Sequence, residues 1–225
     1  HYVLNGSKTF ISNASTCDVV IVVARTEPDA SAKGISLLVV DTTLPGVRKG
    51  SPLKKMGLKS QDTGELFFED VRVPADHLLG EPGRGFAYLM QELPWERLQI
   101  AVSAIAAAED AYRTTLEYVR GRRAFGQAVA DFQHTRFLLA ELKTEIRIGR
   151  TFVDHCLQEL AEGRLDAQAA SMAKYWCSDL QGKVVDACVQ LHGGYGFMAE
   201  VPIARAYVDA RIQRIYGGTN EIMKE

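Results

Sequence analysis

At 225 residues the chain has room for one large domain or two modest ones. Hydrophobic residues make up 47% and charged residues 24%, the balance of an ordinary globular protein. A net charge of -2 gives neither nucleic acid nor an acidic membrane surface an electrostatic reason to bind. No apolar run approaches the ~20 residues that span a bilayer, so no membrane span is expected. Cys17, Cys156, Cys177 and Cys188 are scattered without a CxxC pair. They read as reduced thiols of an intracellular compartment, chiefly small buried apolar side chains.

Residues 1–6 read as a strand entering a turn and carry no signal or transit pattern, as expected of a chain that begins inside a larger protein. Asn5-Gly6 is a tight-turn dipeptide flanked by Tyr2-Val3-Leu4 and Thr9-Phe10-Ile11. Residues 19–24 form a β-branched run that suits a strand buried on both faces, and 35–40 repeat it. Residues 65–73 give a fourth strand, ended by Pro74. The period then becomes helical. Helices are expected over 86–119, with an alanine-rich centre, over 131–160, over 166–193, and from Pro202 to Ile212. Three of about 30 residues, each ~45 Å long at 1.5 Å per residue, can pack as an up-down bundle. The chain divides into a β unit over 1–75, a linker over 76–84 and a helical bundle over 85–225.

Within that frame a few segments are awkward for a plain bundle. Pro94-Trp95-Glu96-Arg97 interrupts a helical pattern, and a mid-helix proline costs ~3 kcal/mol. It marks either a kink or a first turn and displays Glu96 and Arg97 there, although a solvated Glu-Arg pair explains them equally simply. Gln190-Leu191-His192-Gly193-Gly194-Tyr195-Gly196 suits close approach of backbone to a ligand, or only a helix cap and turn. In Ile215-Tyr216-Gly217-Gly218-Thr219-Asn220-Glu221, Thr219 can cap a helix whose free N–H groups face an anion or a carbonyl oxygen. Arg122 and Arg123, before Phe125-Gly126 and Gln133, place two cations at a helix-to-helix turn, fit to hold a pyrophosphate or to complement a helix dipole. The histidines have no metal spacing, and no metal is assigned.

Taken together these segments resemble the acyl-CoA dehydrogenase family across nearly the whole chain. Asn5-Gly6-Ser7-Lys8 through Ile11-Ser12-Asn13 looks like the family's middle-domain strand pair. The Arg122-to-Gly126 segment with Gln133 looks like its RxxFG…Q segment, Gln190 to Gly194 its QxxGG segment, and Ile215 to Glu221 its final glycine turn. Glu92-Leu93-Pro94-Trp95-Glu96-Arg97-Leu98, Met172-Ala173-Lys174-Tyr175-Trp176 and the chain's ending resemble the long-chain branch. The resemblance implies an α+β multidomain protein, with a middle β-barrel-like domain followed by a C-terminal all-α four-helix bundle. The family's N-terminal helical domain would lie upstream.

Most members of the family carry the catalytic glutamate in the final turn, at the position that here is Gly217. The long-chain and isovaleryl branches carry it on the helix, at the position of Glu96. The resemblance therefore implies an FAD-dependent oxidoreductase that desaturates a fatty acyl-CoA in β-oxidation, with Glu96 as the α-proton acceptor in a dry pocket beside Trp95. It implies FAD contacts from Ser12, Phe10, Arg122, Phe125, Gln133, Gln190, Gly193, Gly194, Thr219 and Glu221, partly across a subunit boundary. Substrate contacts are implied for Pro94, Trp95, Arg97, Gly217 and Gly218. It further implies a homotetramer built as a dimer of dimers, electron-transfer flavoprotein as electron acceptor, and a place in the bacterial cytoplasm or the mitochondrial matrix. The competing readings are a branched-chain dehydrogenase, an oxidase or other flavoprotein on the same scaffold, and a non-catalytic helical partner protein.

Overall fold

The computed structural model describes residues 1–225, which fall into two compact units, His1–Glu92 and Leu93–Glu225. The first unit contains β1 (Tyr2–Ser12), β2 (Val19–Arg25), β3 (Ile35–Asp41), β4 (Val47–Lys49), β5 (Thr63–Val73) and β6 (Leu78–Leu79). They form two antiparallel three-stranded sheets, ordered β1-β5-β4 and β2-β3-β6. Leu4, Leu66, Phe68, Val71 and Val73 of the first sheet share one core with Val22, Leu38 and Val40 of the second. The inward faces of two sheets thus supply the apolar burial that neither could achieve alone.

Asn5-Gly6 does not turn the chain, contrary to the local signal. Residues on both sides of it pair with the same strand, from Tyr2 opposite Val73 to Ser12 opposite Thr63, so β1 is continuous. The dipeptide forms a bulge instead. Asn5 Nδ2 donates to Asp70 Oδ1 at 3.0 Å, and Asp70 N–H donates to Asn5 Oδ1 at 2.8 Å. Gly6 at φ 137° and Asp70 at φ 49° absorb the irregularity. Its consequence shows in β5, where Gly64, Leu66 and Phe68 point inward and the phase then slips so that Val71 and Val73 do. The expectation that β2 is buried on both faces also fails. Val19 and Ile21 are more than half exposed, because β2 is an edge strand and β3 takes the central place.

Between the sheets and the helices, Leu78–Leu79 adds β6 to β3. A ring nitrogen of His77 lies 3.1 Å from the Val39 carbonyl oxygen. α1 (Gly85–Gly121) follows, and the division between units falls inside it. Next come the short hairpin β7 (Arg123–Ala124) and β8 (Gln127–Ala128), then α2 (Gln133–Ala161), α3 (Ala167–His192), α4 (Pro202–Ala210) and α5 (Asn220–Lys224). No helix is long and apolar enough to cross a membrane. The fourth helix stops at Ala210, and the chain tightens into a 3-10 turn over Arg211–Arg214. Leu98, Ala101, Ile105 and Ala108 on α1 repeat at three- and four-residue steps and meet Leu142, Ile146 and Val153 of α2 and Cys177 and Val184 of α3.

The helices pack tightly at Gly149. A Cβ there would lie 2.5 Å from Ile105 Cδ1 and 2.9 Å from the Trp176 ring. Gly149→Leu is therefore expected to destabilise the protein by about 1–3 kcal/mol or more, read as a lower denaturant midpoint, since overpacking forces neighbours off their rotamers. Three cysteines are core residues: Cys156, Cys177 and Cys188 are buried, and Cys17 is partly exposed. Burial pushes all three buried thiols up, Cys177 to about 12. Of these four, only Cys17 should label when the native protein is treated with a maleimide and mapped by mass spectrometry. Native labelling of Cys177 would contradict this packing.

Candidate active site

Pro94 lies inside α1 rather than in its first turn. Lacking an N–H, it leaves the Met90 carbonyl without its helical donor, the local irregularity expected from the sequence. Leu98 points into the core with no exposure. At 100° per residue, Glu96 sits ~200° away from Leu98, on the opposite side of α1. That geometry explains why Glu96 is exposed; Trp95 lies only ~60° from Leu98 around the helix and is 42% exposed. The expected dry pocket around the carboxylate is thus not closed by these helical residues.

Ile100 is four residues after Glu96, so the two side chains share a face about 6 Å apart along α1. The final glycine turn packs against that face, where a Cβ on Gly217 would collide with Ile100 Cδ1. Gly217 has φ 66° and Gly218 φ 96°, conformations that few side chains tolerate. The turn that lacks a carboxylate and the helix that carries one therefore meet one helical turn apart. Thr219 then caps α5, accepting from Ile222 N–H at 3.4 Å. Hydrogen bonds from its own backbone and from Thr219 hold the exposed Glu221 carboxyl below its usual range.

α3 anchors this turn on both sides. Before it, Arg214 lies over Gly182, donating to the Asp179 carbonyl oxygen at 3.1 Å and pairing with Asp179 Oδ1 at 2.9 Å. After it, the fully buried Lys174 donates through Nζ to the Gly218 carbonyl oxygen at 2.6 Å and to Asn220 Oδ1 at 2.8 Å. Asn220 Nδ2 donates in turn to Ser178 Oγ at 2.9 Å and Asp179 Oδ1 at 3.2 Å. Burial pushes Lys174 down to about 8, with Arg97 adding to the effect and Asp179 and Glu221 opposing it. Three residues before Lys174 on α3, Ser171 Oγ accepts from Arg97 at 3.0 Å, while the Arg97 Nε is buried without a partner. Sequence reasoning missed Lys174, Ser178, Asp179 and Arg214. The one available signal was a lysine at the spacing of the buried positions Ala170 and Cys177, followed four residues on by Ser178.

A second cluster lies at the other end of α3. Arg122, Gln190, Gly193 and Gly194 line a cavity of about 650 Å³. Its wall includes Tyr118 and His192, stacked with centroids 4.1 Å apart. Gly193 ends α3 at φ 58°, and nothing lies within 4 Å of where a Cβ on Gly193 or Gly194 would project. A guanidinium, a carboxamide and bare backbone around open space make a donor set that fits a diphosphate. Gly196 closes the turn, where a Cβ would strike the Val189 carbonyl.

Other expected contacts fall outside that cavity. Arg123 turns away to donate to the Gly126 carbonyl at 3.0 Å, so the two neighbouring cations part. Phe125, at φ 51° on the hairpin tip, is 96% exposed and meets Phe132 edge-on, and the exposed Gln133 opens α2. In the first unit, Phe10 and Ser12 are exposed near the end of β1, Phe10 at φ 60° in a second bulge. Along α3 the 16 residues from Lys174 to Gln190 separate the two helical clusters by ~24 Å.

Known proteins share this fold. Residues 83–225 match the C-terminal domain of acyl-CoA dehydrogenase and residues 1–71 its middle domain. The chain is 60% identical, over its whole length, to the mitochondrial long-chain specific acyl-CoA dehydrogenase of Rattus norvegicus, and it covers 53% of that protein. It thus spans about half the length of the curated relatives it matches. An acyl-CoA dehydrogenase from Geobacillus kaustophilus superposes with a TM-score of 0.98 at 49% identity, over 99% of this chain and 59% of that one. A chain of the electron transferring flavoprotein structure from Acidaminococcus fermentans superposes at 0.96 with 38% identity, over 99% and 59%. Members of the family are FAD-dependent oxidoreductases. This chain belongs to the acyl-CoA dehydrogenase family.

Proposed function

We propose that the chain is the flavin-handling and catalytic half of a dehydrogenase that converts a long-chain fatty acyl-CoA to the trans-2-enoyl-CoA in β-oxidation. The observation that carries this reading is the packing of Gly217 on Ile100, one helical turn from Glu96. A carboxylate on α1 can then serve the same reacting carbon as one borne by the final turn. Glu96 takes the α-proton in its ionised form. The thioester oxygen, which gains charge as that proton leaves, accepts a hydrogen bond from Gly217 N–H. FAD, when bound, supplies the acceptor for the β-hydride. Trp95, Pro94 and Gly218 border the substrate, and Arg97, held by Ser171, sets the polarity beside it.

Thr219 and Glu221 flank the flavin end of a cofactor, and Ser12 and Phe10 of the first unit are proposed as flavin contacts in their own right. Arg122, Gln190, Gly193 and Gly194 hold a diphosphate, with Phe125 and Gln133 towards the adenosine. The two helical clusters are too far apart to grip one diphosphate together. That separation supports cofactor sites shared between subunits, hence at least a dimer and, by family, a dimer of dimers. Electrons pass to electron-transfer flavoprotein, and the setting is the bacterial cytoplasm, or the mitochondrial matrix in a eukaryote.

The test is anaerobic bleaching of the flavin in the full-length protein by a ladder of acyl-CoA lengths. Fastest bleaching by long straight chains is the expected result. Faster bleaching by isovaleryl-CoA would transfer the assignment to the branched-chain enzymes. A protein that binds no flavin would end it.

A further inference from the structure

The geometry points to Lys174 as a positioning residue that locks the final glycine turn against α3 and so sets where the Gly217 amide points. A fully buried ammonium is costly unless hydrogen-bonded, and this one spends its donors on two acceptors of the same turn, the Gly218 carbonyl at 2.6 Å and Asn220 Oδ1 at 2.8 Å. The first bond fixes the peptide plane immediately after Gly218. The second fixes Asn220, whose amide is also held by Ser178 and Asp179. Gly217 and Gly218 have no side chains of their own to hold their left-handed conformations, so the restraint comes from outside the turn. Lys174 is also one helical turn beyond Ser171, which holds Arg97 beside Glu96. One stripe of α3 therefore fixes the base-bearing segment and the amide-bearing turn in one frame.

The inference rests on the function proposed above, but part of its test does not. In the full-length holoenzyme, Lys174→Met keeps the buried stem and removes the amine, and Lys174→Gln retains a shorter donor. For Lys174→Met, the backbone amides of residues 215–221 should exchange hydrogen roughly tenfold faster, the factor expected from one lost charge-assisted bond, while α2 exchanges as in the parent. Flavin reduction by acyl-CoA should slow roughly a hundredfold at nearly unchanged substrate affinity, because a misplaced donor costs rate rather than binding. Lys174→Gln should fall between, and it carries the same test if the methionine variant does not fold. Unchanged exchange at 215–221 would overturn the positioning role. Faster exchange with a reduction rate within about twofold of the parent would remove its link to the reaction. A parent protein that no acyl-CoA can bleach would instead refute the proposed function, and exchange would still decide whether Lys174 holds the turn.

Discussion

Glu96→Gln should slow bleaching of the bound flavin by acyl-CoA by at least ~100-fold and by as much as ~10⁴-fold, the range supplied by a positioned general base. Glutamine keeps the size of the side chain and cannot accept the α-proton. The substitution is clean for a structural reason. Glu96 is exposed on the side of α1 away from Leu98, so the core does not register the change. Thermal stability should shift by no more than about 0.5 kcal/mol, as for an ordinary surface replacement, and FAD should stay bound. Stopped-flow absorbance under argon measures the rate, and the ratio of flavin to protein measures retention. Loss of bleaching together with loss of flavin would point to a binding residue. Bleaching at the parent rate would show that the base lies elsewhere.

The ease of that substitution follows from how much of the helical unit is written in local pattern. Leu98, Ala101, Ile105 and Ala108 repeat at helical spacing, and the helix they imply runs Gly85–Gly121 with Pro94 inside it. Local pattern misleads where a distant partner outcompetes it. Asn5-Gly6 has turn chemistry, yet Asp70, 65 residues away, accepts and donates across to Asn5 and draws the dipeptide into a bulge. Exposure is also non-local: the apolar run at Val19 and Ile21 fits a buried strand until β2 proves to be an edge. The candidate site divides the same way. Glu96 and the glycine turns stand out as residue types, while the collision of Gly217 with Ile100 depends on the packing of segments far apart in sequence. Lys174 was invisible as a functional residue because both of its acceptors lie more than 40 residues downstream.

The same lysine makes stability depend on pH in a direction opposite to that of a paired surface cation. Its folded-state value, pushed down to about 8, lies below the ordinary lysine value of 10.5 that an unfolded chain would show. Between those limits the unfolded state binds a proton that the folded state has released, so unfolding becomes harder as pH rises. Below pH ~8 both states are protonated, and the folded protein bears the cost of the buried charge in full. The separation bounds the gain at about 3 kcal/mol, reached near pH 10.5. The charged amine's hydrogen bonds to Gly218 and Asn220 reduce this figure, because they favour the protonated form. Neutral lysine still has two N–H donors for these two acceptors, so the turn remains held after the proton leaves. The measurement is the difference in unfolding free energy between the parent and Lys174→Met from pH 7 to pH 10.5, which cancels every titration the two proteins share. That difference should move in favour of the parent as pH climbs. A difference flat across the range would mean that Lys174 keeps an ordinary affinity for its proton despite its burial, and that the three charged neighbours, Asp179, Glu221 and Arg97, balance in favour of the ammonium.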